Sequence, residues 1–152
     1  MRDNELIITF PATLGDLELY ISKMPKTARK FHDSAMKQLK KIIKKNERIH
    51  AFEESNTKTT KTGIFVVSDS KIILFINKGG LLGKVENEVY NLKDLVSVDY
   101  DIMPNPIGQI WTNSGSIELK IKKTIGQKKV VIKNIDEEKV LLLKTKLDEL
   151  IR

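Results

Sequence analysis

The chain is predicted to be α+β, an antiparallel β-barrel or orthogonal sandwich with one open end plugged by a C-terminal helix and with an N-terminal helical extension in front. Three observations carry this. Gly63 to Asn77 holds two apolar, β-branched runs divided by Ser68-Asp69-Ser70-Lys71, a strand, a reversal and a second strand. Ser116 to Lys122 alternates, with Ile117, Leu119 and Ile121 facing one way and Glu118, Lys120 and Lys122 the other. Segments with helical periodicity flank this β-rich middle on both sides.

At the amino end, a short extended start closes at Phe10-Pro11, and Thr13 followed three positions on by Asp16 can cap a small helix. Leu14, Leu17 and Ile21 form its apolar side, with Glu18 and Ser22 toward water. Pro25 suits the first turn of a second helix running to Lys45, because its missing N–H has no intrahelical partner there anyway. Ala28, Phe31, Ala35, Leu39, Ile42 and Ile43 make one stripe of that helix. Lys26, Lys30, Lys37, Lys41 and Lys44 fall opposite it and mark a candidate partner-binding or membrane-facing basic helix. The expectation is that the Phe31, Leu39 and Ile42 side packs on the barrel.

From Glu47 the period becomes that of strands. Candidates are Ile49 to Glu54, Gly63 to Val67, Lys71 to Ile76, Val85 to Tyr90, Val96 to Ile102, Ile107 to Thr112, Ser116 to Lys122 and Lys129 to Lys133. Gly79-Gly80, Pro104-Asn105-Pro106, Asn113-Ser114-Gly115 and Gly126 punctuate them at short spacings, which implies a meander rather than parallel crossovers. Asn134 or Asp136 can then cap a final helix whose first turn carries Glu137 and Glu138, where the dipole favours negative charge. Val140, Leu143, Leu147, Leu150 and Ile151 are its inward stripe.

Gly63-Ile64-Phe65-Val66-Val67-Ser68-Asp69-Ser70-Lys71-Ile72-Ile73-Leu74-Phe75 resembles a motif of bacterial pleckstrin-homology-like (YokE-like) domains: glycine, aliphatic pair, turn with Asp, basic residue, aliphatic-aromatic run. Asn91 to Val98 resembles that family's later polar-Leu-x-Asp-aliphatic-x-Ser-Val segment, and Ile110 to Ile117 its strand-Gly-turn-strand unit. The resemblance implies a PH-like barrel of about seven strands spanning roughly residues 46 to 152. With eight candidates, Val85 to Tyr90 is the segment expected to be a strand extension or irregular. The final helix lacks the tryptophan of eukaryotic pleckstrin-homology domains; Trp111 is the chain's one tryptophan. The expected division is residues 1–46 as helical extension and 47–152 as the PH-like domain.

Net charge is +7, and its placement says more than the total. Residues 23–48 hold ten bases against two acids, and residues 113–135 hold six lysines against Glu118. The chain has no cysteine, so disulfides and thiolate chemistry are excluded. Acids near Met1 and the short apolar run from Leu6 to Phe10 do not fit a signal peptide, and no stretch approaches the roughly 20 apolar residues of a membrane helix. A cytoplasmic protein is expected, with peripheral membrane contact as the alternative.

Catalysis has few candidates. His32 and His50 have no metal-binding partner at helical spacing, Ser68-Asp69-Ser70 reads as a turn, and Gly79 to Lys84 lacks the spacing of a phosphate loop. No enzyme activity, cofactor, metal or small-molecule substrate is expected. The candidate anionic-surface site is the hairpin tip with Lys120, Lys122, Lys123, Ile125, Lys128, Lys129 and Lys133, an apolar apex ringed by bases that suits an anionic bilayer. Through the resemblance, this tip is one of the loops that rim the barrel mouth, and Lys58 and Lys61 of the first hairpin join it. The basic spacing of phosphoinositide binders across that first hairpin is not met. With few aromatics and little arginine, nucleic acid is an unfavoured, nonspecific third partner. The leading expectation is a non-enzymatic binding module for a protein partner or for self-association.

Overall fold

The computed structural model describes residues 7–58, 61–79, 84–103 and 114–151. Two helices, α1 (Leu14–Ser22) and α2 (Lys26–Ile42), precede the strands β1 (Ile49–Lys58), β2 (Lys61–Ser68), β3 (Lys71–Gly79), β4 (Lys84–Asn91), β5 (Leu95–Met103), β6 (Ser114–Lys122) and β7 (Gln127–Asp136). A final helix, α3 (Glu137–Leu150), closes the chain. The strands form one antiparallel sheet in the order β4-β3-β2-β1-β7-β6-β5. β1 is its pivot, pairing with β2 along its length and with β7 at Asn56↔Lys133. The sheet coils into a PH-like sandwich without closing, so β4 and β5 remain its two edges.

Local chemistry accounts for the helix ends. The Thr13 hydroxyl accepts from the Asp16 amide and the Asp16 carboxylate accepts from the Thr13 amide, each at 3.1 Å, a reciprocal cap that satisfies two otherwise free donors of α1. Pro25 stands just before α2 rather than in its first turn, with ψ 142°. The helix stops at Ile42, short of Lys45, because Ile43 is extended and the Lys44 amide is taken by the Glu47 carboxylate at 3.1 Å.

Glu47 is buried and also accepts from the Ser68 hydroxyl at 2.6 Å, the Ser70 amide at 2.9 Å and the Ser70 hydroxyl. Burial alone would raise its pKa, but these bonds outweigh it and hold the carboxylate below its ordinary value. Asp69 next to them accepts from the Arg48 amide at 2.9 Å and from His50 Nε2–H at 2.6 Å. The Ser68-Asp69-Ser70 reversal is therefore also a latch that ties the exit of α2 to the β2–β3 turn.

Two hydrophobic cores lie on opposite faces of the sheet. Inside the sandwich, Phe65, Val67, Ile72 and Leu74 meet Val98, Ile117, Leu119 and Ile132 from the other half and Val140, Leu143 and Leu147 from α3. On the outside, Ile64, Val66, Ile73 and Phe75 are covered by Leu17 and Ile21 of α1 and by Ala35, Met36 and Leu39 of α2. β2 and β3 are thus buried on both faces, and their unbroken apolar runs follow from that. Gly63 belongs to the same packing: a Cβ there would lie 1.9 Å from the Phe75 carbonyl oxygen and 2.1 Å from Thr57 Oγ1. The Thr57 hydroxyl donates to that carbonyl at 2.8 Å, so only glycine leaves room.

Several expectations are corrected. Val85 to Tyr90 is no irregular extension; it is the body of β4, in register with β3 from Lys71↔Asn91 to Asn77↔Val85. It reads as weak because an edge strand carries more polar residues. Ile107 to Thr112, with Trp111, lies outside the described residues. β1 runs on to Lys58, since its polar end pairs with β2 as far as Lys58↔Lys61. The buried stripe of α2 is rotated, with His32 and Met36 inside and Ala28 exposed. His32 can be buried because both ring nitrogens are bonded, Nδ1–H to the Ala28 carbonyl at 3.0 Å and Nε2–H to Glu54 at 2.8 Å. Asp136, not Asn134, occupies the cap position of α3, without a side-chain bond; Asn134 adopts φ 60° before it.

Candidate functional site

Strand direction brings three hairpin tips to one end. β1–β2 and β3–β4 turn at the same end of their half-sheet, and β7, antiparallel to β1 at Asn56↔Lys133, places the start of the β6–β7 hairpin there too. The tip of β6–β7 is tight. The Lys123 amide donates to the Gly126 carbonyl at 3.1 Å, and Gly126 has φ 72°, a left-handed value that a side chain would resist. This leaves Ile125 at the apex, 92% exposed.

The lysines divide into two groups. Cross-strand partners share a face, so Lys120 and its partner Lys129, together with Lys122 and Lys133, line the outer surface of β6–β7. Lys129 is paired with Glu118 at 3.2 Å, while Lys120, Lys122, Lys123, Lys133 and Lys61 have no ion pair among the described residues. Lys128 is different. It stands opposite Ile121, on the inward side, 5.2 Å from the centre of the Tyr90 ring and 3.9 Å from Glu88. Lys58 reaches the same Glu88 at 3.9 Å, and the Tyr90 hydroxyl donates to it at 2.9 Å. The Tyr90 hydroxyl, with a smaller contribution from the charge of Glu88, holds the Lys128 ammonium above its ordinary pKa. Lys78 is joined to Glu86 at 3.2 Å.

The nine residues expected to form one anionic-surface site are therefore not equivalent. Lys58 and Lys128 converge on an acidic residue in the mouth, and the remaining bases spread over an outward face. Sequence reasoning missed Glu86 and Glu88, which lie at alternate positions on β4; recognising that segment as a strand would have placed them at the rim.

On α2, Lys26, Lys30, Lys37 and Lys41 are exposed, opposite the face that packs on the sheet, and Lys44, expected to be on the helix, is exposed just beyond its end. The nearby Lys40 is tied to Glu18 of α1. Both histidines make structural bonds, His32 to Glu54 and His50 to Asp69. Among the described residues no group of three His, Asp or Glu is placed to hold a metal ion, and no helix is long and apolar enough to cross a membrane.

A further set of side chains, not singled out from the sequence, is apolar and exposed. β5 presents Val96, Tyr100 at 47% and Met103 at 66% exposure, and α3, which packs across β5, presents Leu141. The signal was available in Val96 to Met103, where apolar residues continue beyond those needed to pair with Ile117 and Leu119.

Comparison with known proteins places this arrangement among similar chains. A family model described as the bacterial PH domain matches residues 43–148. The SPbeta prophage-derived uncharacterized protein YokE of Bacillus subtilis (strain 168) is 41% identical over 132 residues, which is 86% of this chain and 82% of that protein. Among solved structures, the hSac2 domain from human phosphoinositide phosphatase Sac2 superposes with TM-score 0.55 at 9% identity, over 84% of each chain. A pleckstrin homology domain from Shewanella amazonensis SB2B gives TM-score 0.50 at 16% identity, over 78% of this chain and 96% of that one. At these identities the two structures bear on the fold alone.

Proposed function

The chain belongs to the bacterial PH-domain family, whose fold marks it as a binding module, and from that premise we propose that it is a non-enzymatic adaptor docking a protein partner or a further copy of itself. In this reading residues 1–46 are a helical extension that braces the PH-like module of residues 47–152. The observation that carries it is the exposure of the apolar side chains Val96, Tyr100 and Met103 along β5 and Leu141 on the adjoining α3, on an otherwise lysine-rich surface. The acids at the mouth support the same choice. Glu88 lies 3.9 Å from both Lys58 and Lys128, and Glu86 lies 3.2 Å from Lys78, so an incoming phosphate would meet two carboxylates set among these three bases.

Site-specific photo-crosslinking in the cells that make the protein tests the reading. A photoreactive residue in place of Met103 or Leu141 is expected to give discrete protein adducts, and one in place of Lys37 on α2 none. Adducts absent from both Met103 and Leu141 would remove the proposal.

A second reading is peripheral binding to an anionic membrane. It is favoured by Ile125 at the exposed apex, with the unpaired Lys122 and Lys123 beside it.

A further inference from the structure

The two edges of the sheet are treated differently. At β4, Gln38 of α2 donates to the Val85 carbonyl at 2.8 Å and accepts from the Asn87 amide side chain at 2.6 Å, so a helix covers that edge. Charged residues at Lys84, Glu86 and Glu88 add to its protection. β5 has no helix side chain bonded to its backbone among the described residues, and its only charges are Asp99 and Asp101. It bonds only to β6 among the described residues, runs nine residues, and contains no lysine and no proline. An edge of that length with exposed apolar side chains is a template for another strand.

The side chains along β5 specify what that strand should carry. Val98, Tyr100 and Ile102 are in register with Leu119, Ile117 and Gly115, on the face turned toward α3. Asp99 and Asp101, in register with Glu118 and Ser116, point the other way. Neither aspartate has an ion pair among the described residues; Asp101 accepts only from the Ile102 amide at 2.9 Å. A second copy is disfavoured in the registers centred on Asp99 or Tyr100, where antiparallel pairing of β5 with itself sets aspartate directly against aspartate. A strand with bases at alternate positions meets both aspartates and lays its apolar residues beside Tyr100 and Ile102.

We propose that β5 receives an extended segment of a partner protein, alternating basic and apolar residues, as an eighth strand seated between the β5 edge and the flank of α3. This rests on the adaptor reading and narrows it to one partner chemistry and one mode of contact.

The test uses the full chain and a capped peptide alternating lysine and valine, matched in length to β5, with amide shifts and hydrogen exchange followed by NMR. Binding should slow exchange of β5 amides. It should weaken about tenfold in the Asp99→Lys/Asp101→Lys double variant, where two attractive cross-strand pairs become repulsive. Of two peptides N-methylated along opposite edges, the one whose β5-facing amides are blocked should not bind, and this arm holds even if the double variant folds poorly. Binding that leaves the β5 amides unchanged, or that survives N-methylation of each edge in turn, overturns the proposal. So do β5 amides on the edge away from β6 that are already protected in the free monomer, or a mass doubling that the peptide cannot reverse. Crosslinks at Met103 that persist in the double variant would sink strand addition yet keep the adaptor; crosslinks absent from Met103 and Leu141 would sink the adaptor itself.

Discussion

At the scale of single residues, burial of polar groups depends on whether every donor and acceptor is met. His32 illustrates it. Burial opposes the charged imidazolium, but Glu54 and the Ala28 carbonyl accept from its two nitrogens and hold its pKa above the ordinary value. Asp33 on the same helix adds to the effect. The His32 bond in turn lowers the pKa of Glu54. The signs follow. The raised His32 contributes stability fully present below its unfolded pKa and lost as pH rises through the folded one; the lowered Glu54 contributes stability present above its unfolded pKa and lost as pH falls through its folded value. His32→Gln is therefore expected to cost about 1 to 2 kcal/mol near pH 6 and clearly less near pH 9, by urea denaturation. An equal cost at both would show that His32 acts by packing alone. Its neighbours support some packing role, with Phe31 and Phe52 rings about 6 Å away.

At the scale of elements, β2 and β3 explain why the amino-terminal helices exist. Their outward residues Ile64, Val66, Ile73 and Phe75 are fully covered by α1 and α2, and the Glu47 latch fixes the exit of α2 against the β2–β3 turn. A chain begun at residue 47 would expose that whole face. It is expected to bind the apolar dye ANS and to aggregate, while a chain keeping residues 12–46 stays monodisperse by light scattering. A soluble, dye-silent fragment of residues 47–152 would instead mean that the outer core is dispensable. β4 and β5 show the complementary case. Both are edges, and among the described residues α2 reaches across only β4, through Gln38.

At the scale of the whole molecule, net charge and accessible charge differ. The chain carries +7, but Glu88, Glu86, Glu118 and Glu18 are each engaged with lysines, and the bases without an ion pair among the described residues are spread over α2, the β6–β7 hairpin and other parts of the surface. Spread charge of this kind is screened within roughly 10 Å at moderate salt. Liposomes containing phosphatidylserine are accordingly expected to sediment the protein only at low salt, and Ile125→Asp is expected to reduce even that weak binding. Salt-resistant sedimentation that depends on Ile125 would move the membrane reading ahead of the adaptor.

Much of this architecture could be read from local rules. The Thr13 and Asp16 cap, the Gly63 to Phe75 hairpin, the alternation from Ile117 to Ile121 and the inward stripe of α3 all follow from the chemistry of a few neighbouring residues. Outward placement of Lys120, Lys122, Lys129 and Lys133 was legible for the same reason, since the period of a strand fixes its faces. What periodicity cannot encode is which distant groups meet. Nothing near Lys58 or Lys128 indicates that both will reach Glu88, nothing near His32 announces Glu54, and nothing near Val85 announces Gln38 of α2. The sequence by itself determined the strands, the helices and their apolar faces, because those depend on residues a few positions apart. Only the tertiary structure decided which charges are paired and which edge α2 reaches, because these depend on contacts between segments tens of residues apart.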